Sequence, residues 1–302
     1  GITDHLELTG RFSDLALMVE VDTAGKRYEL ANRGDVVFNS AEGVLHFERS
    51  TFVGEGTELT LAGDLALEPD ATSNLTLAGD VNLALASSFS ADAYAAGVAS
   101  IQATVAGTLA DPRFSGFADV RDASLRVVDL PIALQNGNGR ILFTANQALI
   151  DSFTAQSNGG RVRIDGGVLF AGLRPERWRF GIDAEQIRVT YPEDVRSIVD
   201  GRFTLQGNDQ LQLLGGSVNV RRAEFTRDID LNDLISLEEE QGRGSFASGT
   251  GTGGQSRIRL DLTVEARDSL IIRNNLADVV ASASLALTGP IDDPIIDGRA
   301  TL

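Results

Sequence analysis

The sequence predicts an all-β protein: one long antiparallel-rich sheet, curled into an open trough with an apolar inner face, and a single short helix. Three observations predict it. Apolar and polar residues alternate with a period of two through most of the chain, which gives an extended strand one oily side and one wet side. A strand–turn–strand stretch recurs: Ala99 to Val120 lies over Ala281 to Leu302, so that Gly107, Asp111, Pro112 and Gly116 meet Gly289, Asp293, Pro294 and Gly298. A looser copy sets Gly107 and Gly116 over Gly207 and Gly216, and VRDASL (Val120 to Leu125) over VRRAEF (Val220 to Phe225). Long-period repetition of strand pairs builds elongated β architecture. Finally, the chain holds 32 Gly, where average usage of about 7% gives roughly 21. Aromatics are only 6%, and an aliphatic, glycine-punctuated chain suits a long thin object better than a compact core built on large rings.

Residues 1–60 alternate, with turn signals at Ala24-Gly25, Asn32-Arg33-Gly34 and Gly54-Glu55-Gly56. LTLAGDLAL and LTLAGDVNLAL follow as near copies whose odd positions are apolar: Leu59, Leu61, Leu65 and Leu67, then Leu75, Leu77, Val81, Leu83 and Leu85. These are half-buried strands with one apolar face. ADAYAAG (Ala91 to Gly97) is a helical turn or a loop. In the recurring stretch Ile101, Ala103, Val105 and Leu109 share a parity. Asp111-Pro112 then ends the ladder, because Pro112 has no N–H to give.

Asn136 to Phe170 reads as a meander of short strands around Asn-Gly and Gly-Gly turns. Within it Val162, Ile164, Val168 and Phe170 share a face opposite Arg161, Arg163 and Asp165. Trp178, Phe180, Ile182 and Ala184 repeat the pattern. YPEDVRSI (Tyr191 to Ile198) breaks the alternation, and Phe203, Leu205, Leu211, Leu213, Val218 and Val220 restore it. DLNDLISLEEE (Asp230 to Glu240) is the predicted helix, capped by Asp230 or Asn232. Gln241 to Ser256 is Gly/Ser-rich and reads as a dispensable flexible loop. Ile258, Leu260, Leu262 and Val264 then alternate with Arg259, Asp261, Thr263 and Glu265, and Leu285 and Leu287 continue the apolar parity in the final copy. Roughly 22 to 26 strands at about 4.8 Å spacing are expected.

As domains, residues 1–98 form an elongated β segment and 99–302 a β-trough region with the helix at 230–240 and the loop at 241–256, together one continuous unit. The first residues open inside an alternating run, and the last repeat copy stops in mid-strand at Leu302, so the chain reads as a window from a longer protein.

Composition excludes several classes of function. A net charge of −17 leaves no basic patch to release counterions, so no nucleic-acid partner is expected; it also disfavours anionic lipid surfaces. There is no cysteine, hence no disulfide, thiol nucleophile or thiolate metal site. No cofactor or metal site is expected either. His5 and His46 lack metal-ligand spacing and read as surface or strand residues. GTGTGG (Gly249 to Gly254) lacks the Lys and Ser/Thr of a phosphate loop. Glu238-Glu239-Glu240 reads as a solvated helix end. No acid–base pair or partnered nucleophile appears, so the expectation is no enzyme.

Three stretches carry a resemblance to a known family: IRVTYPEDVRSIVDGRFTLQG (Ile187 to Gly207), GSVNVRRAEFTRDIDLNDLIS (Gly216 to Ser236) and SRIRLDLTVEARDSLIIRNNLADVVASASLALTG (Ser256 to Gly289). With the repeated G-x-[LI]-x-D-P turn, they resemble the TamB family, the translocation and assembly module inner-membrane component, among the AsmA-like bridge-type lipid transfer proteins. The resemblance is best from Ala99 to Leu302. It implies a U-shaped trough (a β-taco), in a protein anchored in the inner membrane of a diderm bacterium and crossing its periplasm. It also implies conduction of phospholipid between inner and outer membranes, and pairing with an outer-membrane barrel of TamA type, linked to autotransporter assembly and protein secretion. The partners implied are phospholipid acyl chains, the TamA-type barrel through the full-length parent, and the inner membrane through an anchor outside these residues.

On this reading the apolar-parity residues named above line a lipid groove. Two alternatives compete with it. One is a scaffold or chaperone holding outer-membrane or autotransporter strands by β-augmentation. The other is a right-handed β-helix, which demands stacked coils of about 20 residues.

Overall fold

The computed structural model describes residues 8–20, 27–41, 43–68, 71–85, 93–108, 111–127, 133–172, 174–190, 195–225, 257–273 and 278–302. Among them the regular elements are strands, with one 3₁₀ turn at 83–85. The strands are β1 (Leu8–Phe12), β2 (Ala16–Glu20), β3 (Arg27–Arg33), β4 (Val36–Ala41), β5 (Val44–Gly54), β6 (Thr57–Ala66), β7 (Ser73–Asn82), β8 (Ala93–Gly107) and β9 (Pro112–Val127). They continue with β10 (Ala133–Ala145), β11 (Gln147–Ser157), β12 (Gly160–Ala171), β13 (Arg174–Thr190), β14 (Val195–Gly207), β15 (Gln212–Phe225), β16 (Ile258–Arg273), β17 (Asp278–Pro290) and β18 (Ile295–Thr301). The all-β, mostly antiparallel, open-sheet prediction is borne out. The helix expected at 230–240, the loop at 241–256 and Leu109 lie outside the described residues.

The eighteen strands belong to one sheet and fall into two compact units, 1–156 with 164–178, and 157–163 with 179–302. In the first, β5 through β11 form an uninterrupted antiparallel ladder of sequential neighbours. The first half of β5 also pairs with β4 and its second half with β3. In the second unit β14–β15, β16–β17 and β17–β18 are antiparallel, and β15–β16 is parallel. Antiparallel ladders of this kind exclude the β-helix. Within each unit, the described strands that touch substantially are ladder neighbours, so among the described residues no second layer covers either sheet face.

The recurring stretch is a recurring hairpin. Gly107 ends β8 and Gly289 lies one residue from the end of β17, with φ of 97° and 94°. In both, a Cβ would point at the carbonyl oxygen of the turn aspartate, Asp111 or Asp293. Pro112 then opens β9, where its missing N–H costs the ladder least.

Among the described residues fewer, longer strands form than the sequence suggests, because several turn signals are bulges. Asn136-Gly137 and Asn138-Gly139 lie inside β10, whose register shifts there against both neighbours. A bulge places two residues opposite one and leaves the strand continuous. Of the expected Asn-Gly and Gly-Gly turns, Asn158-Gly159 makes the β11–β12 turn, while Gly166-Gly167 stays within β12. In ADAYAAG, residues 93–97 open β8 rather than forming a helical turn. Of YPEDVRSI, Tyr191 to Asp194 lie outside the described residues, while Val195 to Ile198 open β14, whose register shifts between Ile198 and Val199.

Candidate functional site

Because paired residues share a face, the register decides which side chains converge. In the first unit Leu59 pairs with Gly79 and Gly79 with Ile101; Leu61 pairs with Leu77, and Leu77 with Ala103; Gly63 pairs with Leu75, and Leu75 with Val105. The row from Val105 continues through Phe114 to Ala145, and that from Ala103 through Gly116 to Phe143. Leu65 and Val81 lie on the same side, opposite Leu45 and Ala99. At every laddered position of this face from β5 to β11 there is no Asp, Glu, Lys or Arg.

The second unit repeats the arrangement. Phe203, Gly216, Leu262 and Leu287 form one row; Leu205, Leu214, Leu260 and Gly289 the next; Gly201, Val218, Val264 and Leu285 a third. Val220 pairs with Val199 and Ala266, and Ile258 with Gln212. No laddered position of this face from β14 to β18 carries a charge. Asp183 meets Arg202 at 3.1 Å on the other face, which leaves Phe180 and Ile182 of β13 on the apolar one. Val162 of β12 is buried.

Most large side chains on this face are half-buried rather than enclosed. Two rings meet on this face. Phe114 near the start of β9 pairs with Ala145, and Phe170 near the end of β12 donates its amide to the Asn146 carbonyl at 2.8 Å. Ala145 and Asn146 adjoin, and the two ring centroids lie 5.8 Å apart. Val168 and Ile164 share the parity of Phe170.

The opposite face is polar. Arg33 meets Glu58 at 2.8 Å, and Arg140 meets Asp119 at 2.6 Å while its guanidinium lies over the Phe117 ring. The hydrogen bond from Arg140 holds the Asp119 carboxyl below the usual carboxylate range. His46 contacts Asp64 at 2.6 Å on this face; His5 lies outside the described residues. Exposed pairs of this kind contribute little to stability, so their main consequence is to keep charge on one side. A shallow concavity of about 280 Å³ includes Tyr94, Ala96, Ser124 and Arg126 in its lining.

Five predicted groove residues do not join the rows. Leu213 pairs with Gln206 on the polar face, and Leu214 takes the place opposite Leu205. Three polar residues before β15, Asn208 to Gln210, hide the true phase. Leu211 sits in that turn, 54% exposed, its carbonyl accepting the Asn208 amide. Leu67 lies one residue beyond β6, exposed, with its amide on the Gly43 carbonyl. Leu83 and Leu85 belong to the 3₁₀ turn after β7; Leu83 packs against the Ala99–Val120–Ala123 cluster. Residues missed by alternation are Phe47, Phe114, Ile141, Ile150, Phe153 and Leu270. Several follow a bulge, where the apolar spacing becomes three instead of two, and that spacing was the available signal.

A single-layer sheet with one uncharged apolar face and one ion-paired face defines a class of protein that works through a surface. Among the described residues no cluster of metal-ligating side chains converges. Residues 147–302, more than half of the chain, match the model of the TamB C-terminal domain, and the chain belongs to the TamB family. That family is one of the bacterial envelope, a transport and assembly module rather than an enzyme. No curated protein and no solved structure matches the chain.

Proposed function

We propose that the apolar face is a lipid-conducting surface, a periplasmic segment of a path for phospholipid between inner and outer membranes. The observation that carries this is the absence of charge from every laddered position of one face, in both units. Acyl chains need an apolar wall, because a charge facing them costs about 2.5 to 3.5 kcal/mol on insertion scales. Each buried CH₂ contributes about 0.8 kcal/mol wherever it lies on an aliphatic wall. Leu, Val and Ile without a specific polar partner therefore hold tails without trapping them. The proposed path works within a protein anchored in the inner membrane, with a TamA-type outer-membrane barrel as partner.

A scaffold for outer-membrane or autotransporter strands is the second reading. It rests on the same uncharged apolar face, which would hold the apolar side of an extended polypeptide. Mass spectrometry of material co-purifying with the chain from envelope extracts separates the two. The proposal expects diacyl phospholipid at a reproducible ratio to protein; protein free of lipid but carrying extended polypeptide would move the scaffold reading ahead.

A further inference from the structure

One motif recurs at the bulges. Asp122 of β9, Gln186 of β13 and Asp268 of β16 are non-glycine residues with φ of 50°, 56° and 48°. Each sits inside a strand, and each has its amide taken by a side chain of the next strand. Asp122 donates to Asn138 Oδ1 at 3.3 Å, Gln186 to Asp200 Oδ1 at 2.9 Å, and Asp268 to Ser282 Oγ at 2.8 Å. The Ser282 hydroxyl returns a hydrogen bond to Asp268 Oδ1 at 2.9 Å. The register places Asn138, Asp200 and Ser282 on the polar face.

The next residue in each strand behaves in the opposite way. Ala123, Ile187 and Ser269 are only 8%, 5% and 7% exposed. Asp122, Gln186 and Asp268 beside them are exposed. With no second layer among the described residues of either unit, such asymmetry reports bending: the side that buries its residues is the inside of the bend. Bulges bend strands in this way and increase their twist. The bulges also divide the strands unequally. In β9 the run before the bulge is Pro112 to Arg121 and the run after it Ala123 to Val127; in β16 they are Ile258 to Ala266 and Leu270 to Arg273.

We propose that in each unit these tied bulges form a crease that folds a short arm of the sheet toward the apolar face, and that Asn138, Asp200 and Ser282 are positioning residues setting its angle. The ties lie on the outside of the bend and the buried residues Ala123, Ile187 and Ser269 on the inside. The crease thereby fixes how far the apolar face opens, whether its occupant is a lipid or a strand.

Distance measurement on the full chain tests this. Having no cysteine, the chain takes spin labels only where cysteine is introduced. Thr263→Cys and Arg273→Cys place labels on the polar face of β16, one on each arm. Their partners on β17, Ala286 and Asp278, are eight residues apart, so an unbent strand with the bulge in place would set the two Cα atoms about 27 Å apart. Pulsed dipolar spectroscopy is expected to give a shorter, narrow distribution. Adding Ser282→Ala is expected to broaden it and shift it toward the straight value, while Ser282→Thr, which keeps the hydroxyl, restores it. A second pair on β14, Arg196→Cys with Gln206→Cys, is read with Asp200→Ala against Asp200→Asn, which keeps the acceptor, should the serine variant not fold. A straight-strand distance in the parent overturns the crease. An unchanged distribution in a folded Ser282→Ala or Asp200→Ala variant overturns the positioning role.

Discussion

Gly215 and Gly216 stand side by side in β15 and are not interchangeable. Gly216 has φ of 144°, and a Cβ there would run into the Arg202 carbonyl oxygen and lie 2.8 Å from Phe203 Cα. At Gly215 a Cβ would meet only the Asp261 carbonyl oxygen, at 3.6 Å, an ordinary contact. Gly216→Ala is therefore expected to cost about 1–3 kcal/mol of stability, and Gly215→Ala to stay within about 0.5 kcal/mol. Urea titration of the two variants measures the difference, and equal midpoints would refute the assignment. Asp200 gives a pH prediction. Burial pushes its carboxyl up, but the Gln186 amide and the Arg221 guanidinium outweigh burial and hold it below the usual carboxylate range. A depressed pKa contributes stability above the unfolded value of about 3.9, and that stability is lost as pH falls through the folded value. Asp200→Asn should thus be less stable than the parent near neutral pH, with the gap closing under acid. A gap of constant size across an acid titration would show that the charge is not what Asp200 contributes. The recurrence of VRDASL as VRRAEF was visible in the sequence. Its meaning as a bulge was not, because a left-handed Asp leaves no mark in a period-two pattern.

Within elements, alternation was legible wherever the ladder runs unbroken. Ile258, Leu260, Leu262 and Val264 all fall on one side, with Leu260 buried at 8% exposure and the others half-buried. Legibility fails where a bulge or a turn resets the phase. Leu213 and Leu214 are the sharpest case, since both are apolar and neither composition nor propensity separates them. Register separates them: Leu214 lies between Leu205 and Leu260, Leu213 between Gln206 and Arg259. Leu214→Arg should place a charge among aliphatic side chains and lower stability by about 2 kcal/mol or more. Leu213→Arg, at a half-buried position on the polar face between Gln206 and Arg259, should cost clearly less. Thermal melts of both variants decide it, and a reversed order would mean that the register of β15 is one residue out.

At the scale of the whole molecule the proposed conduit makes a prediction that a scaffold does not. A path in series is limited by its worst step. One inward charge imposes about 2.5 to 3.5 kcal/mol, which slows passage by roughly a hundredfold. Leu61→Arg in the first unit and Leu262→Arg in the second should each block lipid passage in the full-length parent. The double variant should be scarcely worse than either alone, because the first barrier already sets the rate. Gln102→Arg and Thr263→Arg place the same charge on the polar face, where it meets water, and should be tolerated. A scaffold binding strands through many weak contacts would instead lose affinity additively, so the double variant would exceed both singles. The measurement is outer-membrane integrity together with lipid crosslinking to each unit, in cells with matched protein levels. Tolerance of the inward charges, or additive loss from the pair, would set the conduit aside.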